Sequence, residues 1–155
     1  MNKVYLVLLV AATACSRAAD PAPMPVAPAH TVGWRVDGRD VTTGAYTTAS
    51  GGTGPLAVSG RDEAGGSEVR LEVPGAVGTY VLGTSAGSWA TYTGRGGPRY
   101  EAGAVPGTTG STGAGTVVIT RLGNGAAVGT FAFTGVDPVS KAVKTVANGT
   151  FRVPF

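Results

Sequence analysis

The sequence predicts an all-β fold, an antiparallel β-sandwich or flattened barrel of about nine or ten short strands. Three observations carry this. Glycine supplies 26 of the 155 residues, against about 7% in average usage. Short runs rich in Val, Thr, Tyr and Phe are punctuated by Asp-Gly, Asn-Gly and Pro-Gly pairs, which favour tight turns. Beyond residue 30, apolar residues never recur at the 3.6-residue spacing of an amphipathic helix. A chain of this length has room for one core, burying about two-thirds of its unfolded surface.

The N-terminus is organised differently. In "MNKVYLVLLVAATACSRAAD", Lys3 precedes an apolar run, Val4–Ala12, with small residues before Cys15. That run is far shorter than the about 20 residues of a membrane-spanning helix and fits the core of a secretory signal. "AATAC" resembles the lipobox of bacterial lipoproteins, although Ala12 stands where that pattern prefers Leu. The resemblance implies a cleaved signal peptide at residues 1–14 and an acylated Cys15 that holds the protein to a membrane. An ordinary cleavage after Ala12-Thr13-Ala14, or a Cys15 discarded with the leader, are the competing readings. The position of the chain's single cysteine favours the anchor. A destination in the cell envelope follows, the outer membrane being expected. Residues 15–30, with "SRAADPAPMPVAPA" after the cysteine, read as an extended Pro/Ala-rich tether.

The β-domain then occupies residues 31–155. "TVGWRV" meets an Asp37-Gly38 hairpin turn and "RDVTTGAYTT". "LAVSG" and the turn "RDEAGG" lead to "SEVRLEV", where Val69, Leu71 and Val73 alternate with Glu68, Arg70 and Glu72. Pro74-Gly75 ends it. "GTYVLG" and "SWATYT" flank Gly83–Gly87, and "PRYEAG" precedes the loop "VPGTTGSTGAG". "TVVITRL" turns at Gly123-Asn124-Gly125 into "AVGTFAFTGV". "KAVKTV" is expected to turn near Asn148-Gly149 into "TFRVPF", with Phe151, Val153 and Phe155 on one face beside Phe131 and Phe133. Strands of about five to seven residues fall short of the 9–11 that cross a bilayer as a barrel.

Taken together, "GSEVRLEVPGAVGTYVLG…GSWATYT…GTVVITRL…GTFAFTGVD…NGTFRVP" resembles a family of small Bacteroidetes-type lipoproteins carrying an all-β domain of unknown function. Those motifs are strand-and-turn patterns. They imply a fold, and no activity, cofactor or catalytic residue comes with them.

The residues themselves offer few chemical constellations. Gly83-Thr84-Ser85-Ala86-Gly87 matches the G-x-S-x-G nucleophile elbow. That elbow needs a following helix and a later histidine. Here a strand follows, and the only histidine, His30, precedes it in the tether. Ser85 therefore reads as a turn residue, and no enzyme is expected. No metal and no cofactor are expected either: one histidine and one cysteine cannot build a zinc site. Asp37/Asp40 and Asp62/Glu63 lack the spacing of a calcium loop. Glu68 and Glu72 on one strand face lie about 13 Å apart, too far for glycosidase carboxylates at roughly 5–9.5 Å. A net charge of +3, from twelve Lys/Arg scattered singly among nine Asp/Glu, makes no stripe for nucleic acid.

The expected role is thus a non-enzymatic binding or structural module, its one predicted partner being the membrane. The alternative is a carrier of a small apolar or sugar ligand in a barrel-like interior. Trp34, Trp89 and Tyr100 are the candidate ligand contacts, with core packing as the competing use of their rings.

Overall fold

A computed structural model describes residues 30–44, 47–50, 54–109 and 113–155. The expected signal peptide, Cys15 and the expected tether as far as residue 29 lie outside the described residues, as do residues 110–112 of the glycine-rich loop. Eleven strands are described: β1 (Thr31–Val36), β2 (Arg39–Thr43), β3 (Thr47–Ser50), β4 (Leu56–Arg61), β5 (Glu68–Val73), β6 (Gly78–Leu82), β7 (Trp89–Thr93), β8 (Arg99–Gly103), β9 (Ala114–Gly123), β10 (Ala126–Val136) and β11 (Val143–Val153). They form one antiparallel sheet in the order β2-β1-β11-β10-β8-β7-β5-β4-β3, with β9 also on β10 and β6 on β9. Thus the all-β, barrel-like class expected from turn chemistry and alternation is the observed one.

Turn chemistry sets most of the connections. Asp37-Gly38 has φ of 51° and 76°, and Asn124-Gly125 has 52° and 75°. Both residues of each pair are left-handed, the signature of the type I′ hairpin. Asn148-Gly149 behaves differently, because only Asn148 (φ 51°) is left-handed. The expected final hairpin is therefore absent, and a bulge inside one eleven-residue strand takes its place. On one side the register slips between Phe131 and Phe133, and on the other between Gly33 and Arg35. One left-handed residue inserts an extra residue and bends the strand without reversing it. β9, β10 and β11, of ten, eleven and eleven residues, are accordingly longer than expected.

The bulge is matched by a reciprocal packing of phenylalanine over glycine. Phe131 on β10 opposes Gly149 on β11, and Phe151 on β11 opposes Gly129 on β10. A methyl at either glycine would collide with the facing ring. These rings complete a core containing Val32, Trp34, Leu56, Val69, Leu71, Leu82, Ile119, Phe133, Val146 and Val153. Phe155 does not join them. β11 ends at Val153, Pro154 supplies no donor, and Phe155 is 39% exposed.

The sheet curves almost to closure. β4 approaches β1 so closely that a Cβ at Gly60 would lie 2.6 Å from that of Val32. At the seam the Thr43 hydroxyl donates to the Arg61 carbonyl at 2.6 Å. Opposite this seam, β10 divides its free edge. Ala126–Thr134 pairs with β9, whereas Val136 pairs with Glu101 of β8. Gly113 joins the branches, donating to the Glu101 carbonyl at 2.8 Å and accepting from the Gly103 amide at 3.1 Å.

Two substitutions test this packing by chemical denaturation. Phe151→Ala should cost about 3–5 kcal/mol, the usual loss for a buried phenylalanine. Gly149→Ala should cost about 1–3 kcal/mol through overpacking against Phe131. Deleting residues 151–155 removes partners of both β1 and β10 and should leave the protein largely unfolded. An unchanged midpoint for that deletion would show the end of β11 to be dispensable.

Candidate functional site

Alternation along β5, β7 and β8 sends one set of side chains into the core and the other outward. The inward set holds Val69, Leu71, Ala90, Tyr92 and Ala102. The outward set forms a grid fixed by the strand register: Glu68, Thr93 and Arg99 in one row, Arg70, Thr91 and Glu101 in the next, Glu72, Trp89 and Gly103 in the third. An outward sheet face would normally be solvated. Here Val105 and Pro106, in the loop after β8, wall one side of a groove of about 240 Å³. Glu68, Arg70, Trp89, Thr91, Thr93 and Arg99 complete its lining. A second hollow of about 310 Å³ adjoins it over β4 and β5, sharing Arg70 and Trp89.

Four of the five charges in this face are matched in pairs, and Glu72 is in no ion pair among the described residues. Arg70 donates from Nε to Glu68 at 2.6 Å, and Arg99 pairs closely with Glu101. Glu101 is 1% exposed, although it sits on the outer face of the sheet. Its Oε1 takes the Arg99 bond, while its buried Oε2 has no hydrogen-bond partner among the described residues. The buried Trp89 Nε1, Ser88 Oγ and Thr108 Oγ1 are also without partners. Four of the five such atoms in the described residues thus belong to strands β7 and β8 and their adjoining loops. Buried polar groups are ordinarily paired, so a cluster of unmet ones requires an explanation.

The three aromatic candidates do not converge. Trp34 is 2% exposed within the core. Tyr100 lies on the inward face of β8, its ring centroid 6.2 Å from that of Tyr92. Lys144 Nζ stands 5.7 Å from the Tyr100 ring and hydrogen-bonds Asp37 at 2.9 Å, which raises the lysine pKa. Trp89 alone of the three faces the groove. Sequence reasoning missed Glu101 and Arg99, which share the outer face with Trp89. Alternation in "SWATYT" and "RYEAG" could have placed them on one face, but nothing in the sequence says that the Val105–Pro106 loop covers it.

The other candidates are engaged elsewhere. Ser85 lies in the β6–β7 turn, where Oγ accepts from the Val81 amide at 3.1 Å and the Ser85 amide donates to the Val81 carbonyl at 2.9 Å. A strand follows, and His30 borders a different hollow with Arg121 and Asn124. Asp40 accepts two 2.6 Å bonds from Arg35, which hold its carboxyl below the usual range. Asp62 caps its own turn through the Ala64 amide. Among the described residues no three His, Cys, Asp or Glu side chains gather around a common point.

The sequence pattern of a domain of unknown function, DUF6252, matches residues 38–154, and the chain belongs to that family. The match spans the entire groove. No curated protein and no solved structure matches the chain.

Two measurements follow from this geometry. Arg99→Met leaves the Glu101 carboxylate buried without its cation, and urea denaturation should show a loss of about 1–3 kcal/mol. Most of that loss should return in the Arg99→Met/Glu101→Leu pair, since replacing both charges by apolar groups is close to neutral. A fluorophosphonate probe should leave the protein unlabelled, because Ser85 has no base beside it. Stoichiometric labelling abolished by Ser85→Ala would contradict this.

Proposed function

We propose that this DUF6252 protein is a lipid-anchored, non-enzymatic binding module of the cell envelope, and that it binds through the groove on the outer face of β5, β7 and β8. The anchoring half of the reading rests on "AATAC" and on a single thiol at the position an acyl anchor uses. A diacylated cysteine adds about 0.8 kcal/mol per buried methylene, and two chains give stable attachment where one does not. The tether then sets the domain away from the membrane surface.

The binding half rests on one observation: the outer face of these strands forms a concavity that sets Trp89 beside Glu68, Arg70, Thr91, Thr93 and Arg99. Small-ligand sites commonly combine aromatic surface with a few convergent polar groups in a concavity. The groove is favoured over a ligand carried in the barrel interior, because Trp34, Phe131, Phe133 and Phe151 are all packed within that interior. Chemistry is not part of the proposal. The groove's carboxylates are engaged by arginines, and no activated nucleophile accompanies them.

Expressed in a bacterial host, the wild type should incorporate labelled palmitate and sediment with membranes, and Cys15→Ala should do neither. Equal labelling of the two proteins would remove the anchor from this reading.

A further inference from the structure

Resting on the binding role proposed above, we infer that the groove takes a neutral oligosaccharide, stacked on Trp89 and hydrogen-bonded at its hydroxyls by the polar side chains of β5 and β7 that line it.

The charge balance points to an uncharged ligand. Arg70 is matched by Glu68 and Arg99 by Glu101, so a charged ligand would have to break an existing ion pair to gain its own. The groove lining points to hydroxyls. Among the side chains that line it, Arg70 only donates, Glu68 only accepts, and the hydroxyls of Thr91 and Thr93 do both. A ligand hydroxyl donates and accepts from a single atom, and a sugar ring carries several at fixed spacing. A peptide backbone offers separate donors and acceptors at a spacing that suits a sheet edge, whereas this groove lies across a sheet face.

The shape points to more than one ring. The first hollow, at about 240 Å³, is below the roughly 300–1,000 Å³ of sites for drug-sized ligands. The second hollow continues it on the far side of Arg70 and Trp89. A linear chain of linked rings matches two adjoining hollows that share an aromatic wall. Trp89, half-buried between them, offers a flat apolar face to the C–H side of a ring, while Glu68, Arg70 and Thr91 offer polar edges to its hydroxyls.

Isothermal titration of the full chain in detergent provides the test, using six neutral hexaoses: malto-, cello-, laminari-, xylo-, manno- and chitohexaose. At least one should bind saturably, and hexagalacturonate, a charged hexamer of the same length, should bind more weakly. Trp89→Ala should lower the affinity at least about tenfold, equivalent to about 1.4 kcal/mol. Arg70→Met, at a more exposed position, should lower it as well, while Val139→Thr, remote from the groove, should leave it unchanged. Denaturation midpoints will show that each variant is folded. A displayed random-hexapeptide library, selected on the wild type and counter-selected on the folded variants, separates the two levels of the reading. Groove-dependent peptides with no hexaose binding would overturn the saccharide and leave the binding role standing. Tighter binding of hexagalacturonate than of any neutral hexaose would overturn the neutral ligand. If neither class binds in a groove-dependent way, both readings fall.

Discussion

Gly113 occupies a slot that admits no side chain, pressed against the Thr134 carbonyl and Gly135 of β10 while its backbone bonds to β8. The division of the β10 edge depends on it. A strand edge carries one row of hydrogen-bonding groups, and two strands can share that row only by meeting end to end. Gly113 makes the junction by bonding backward to Glu101 and Gly103 before the chain continues as β9. Gly103, at φ 82°, completes it with a conformation costly to other residues, and its Cα faces the Ser88 carbonyl too closely for a methyl. Because β8 branches away from β9 here, the chain between them loops outward and brings Val105 against the outer face. The groove, and the burial of Glu101, are products of that branch.

Legibility from sequence divides along the same line. Strand alternation in "SEVRLEV" and the Asp37-Gly38 and Asn124-Gly125 turns could be read directly, since they depend on residues adjacent in the chain. Asn148-Gly149 could not. The same dipeptide makes a turn or a bulge according to whether its second residue is left-handed, and that is decided by β1 and β10 pairing on either side. Phe155 was misjudged for a related reason. Alternation assigns it to the core face, but Pro154 ends the ladder before it arrives.

The site was harder still to read. Trp89 was recognisable as a candidate by residue type alone, while Trp34 and Tyr100 were equally eligible and proved to face inward. Glu101 looked like any solvent-facing glutamate in a strand. Its significance comes from a cover contributed by a loop with no sequence signature beyond glycine and proline, and from an arginine two residues away on its own strand. Both facts are tertiary. The mutual neutralisation of Glu68, Arg70, Arg99 and Glu101 also leaves Glu72 as the one unpaired charge of the face among the described residues, too small an excess for net-charge reasoning to detect.

The pairing of β1 with β11 carries a consequence for the order of events in folding. Thr31 lies opposite Arg152 and Val32 opposite Phe151, so the first and last strands of the domain are neighbours in the finished sheet. Contacts between the chain's extremes carry the largest loop-closure cost and are made late. Until the final residues are available, β1 lacks its inner partner and Phe131 lacks the glycine beneath its ring. A growing chain therefore lacks a complete barrel until β11 has been made.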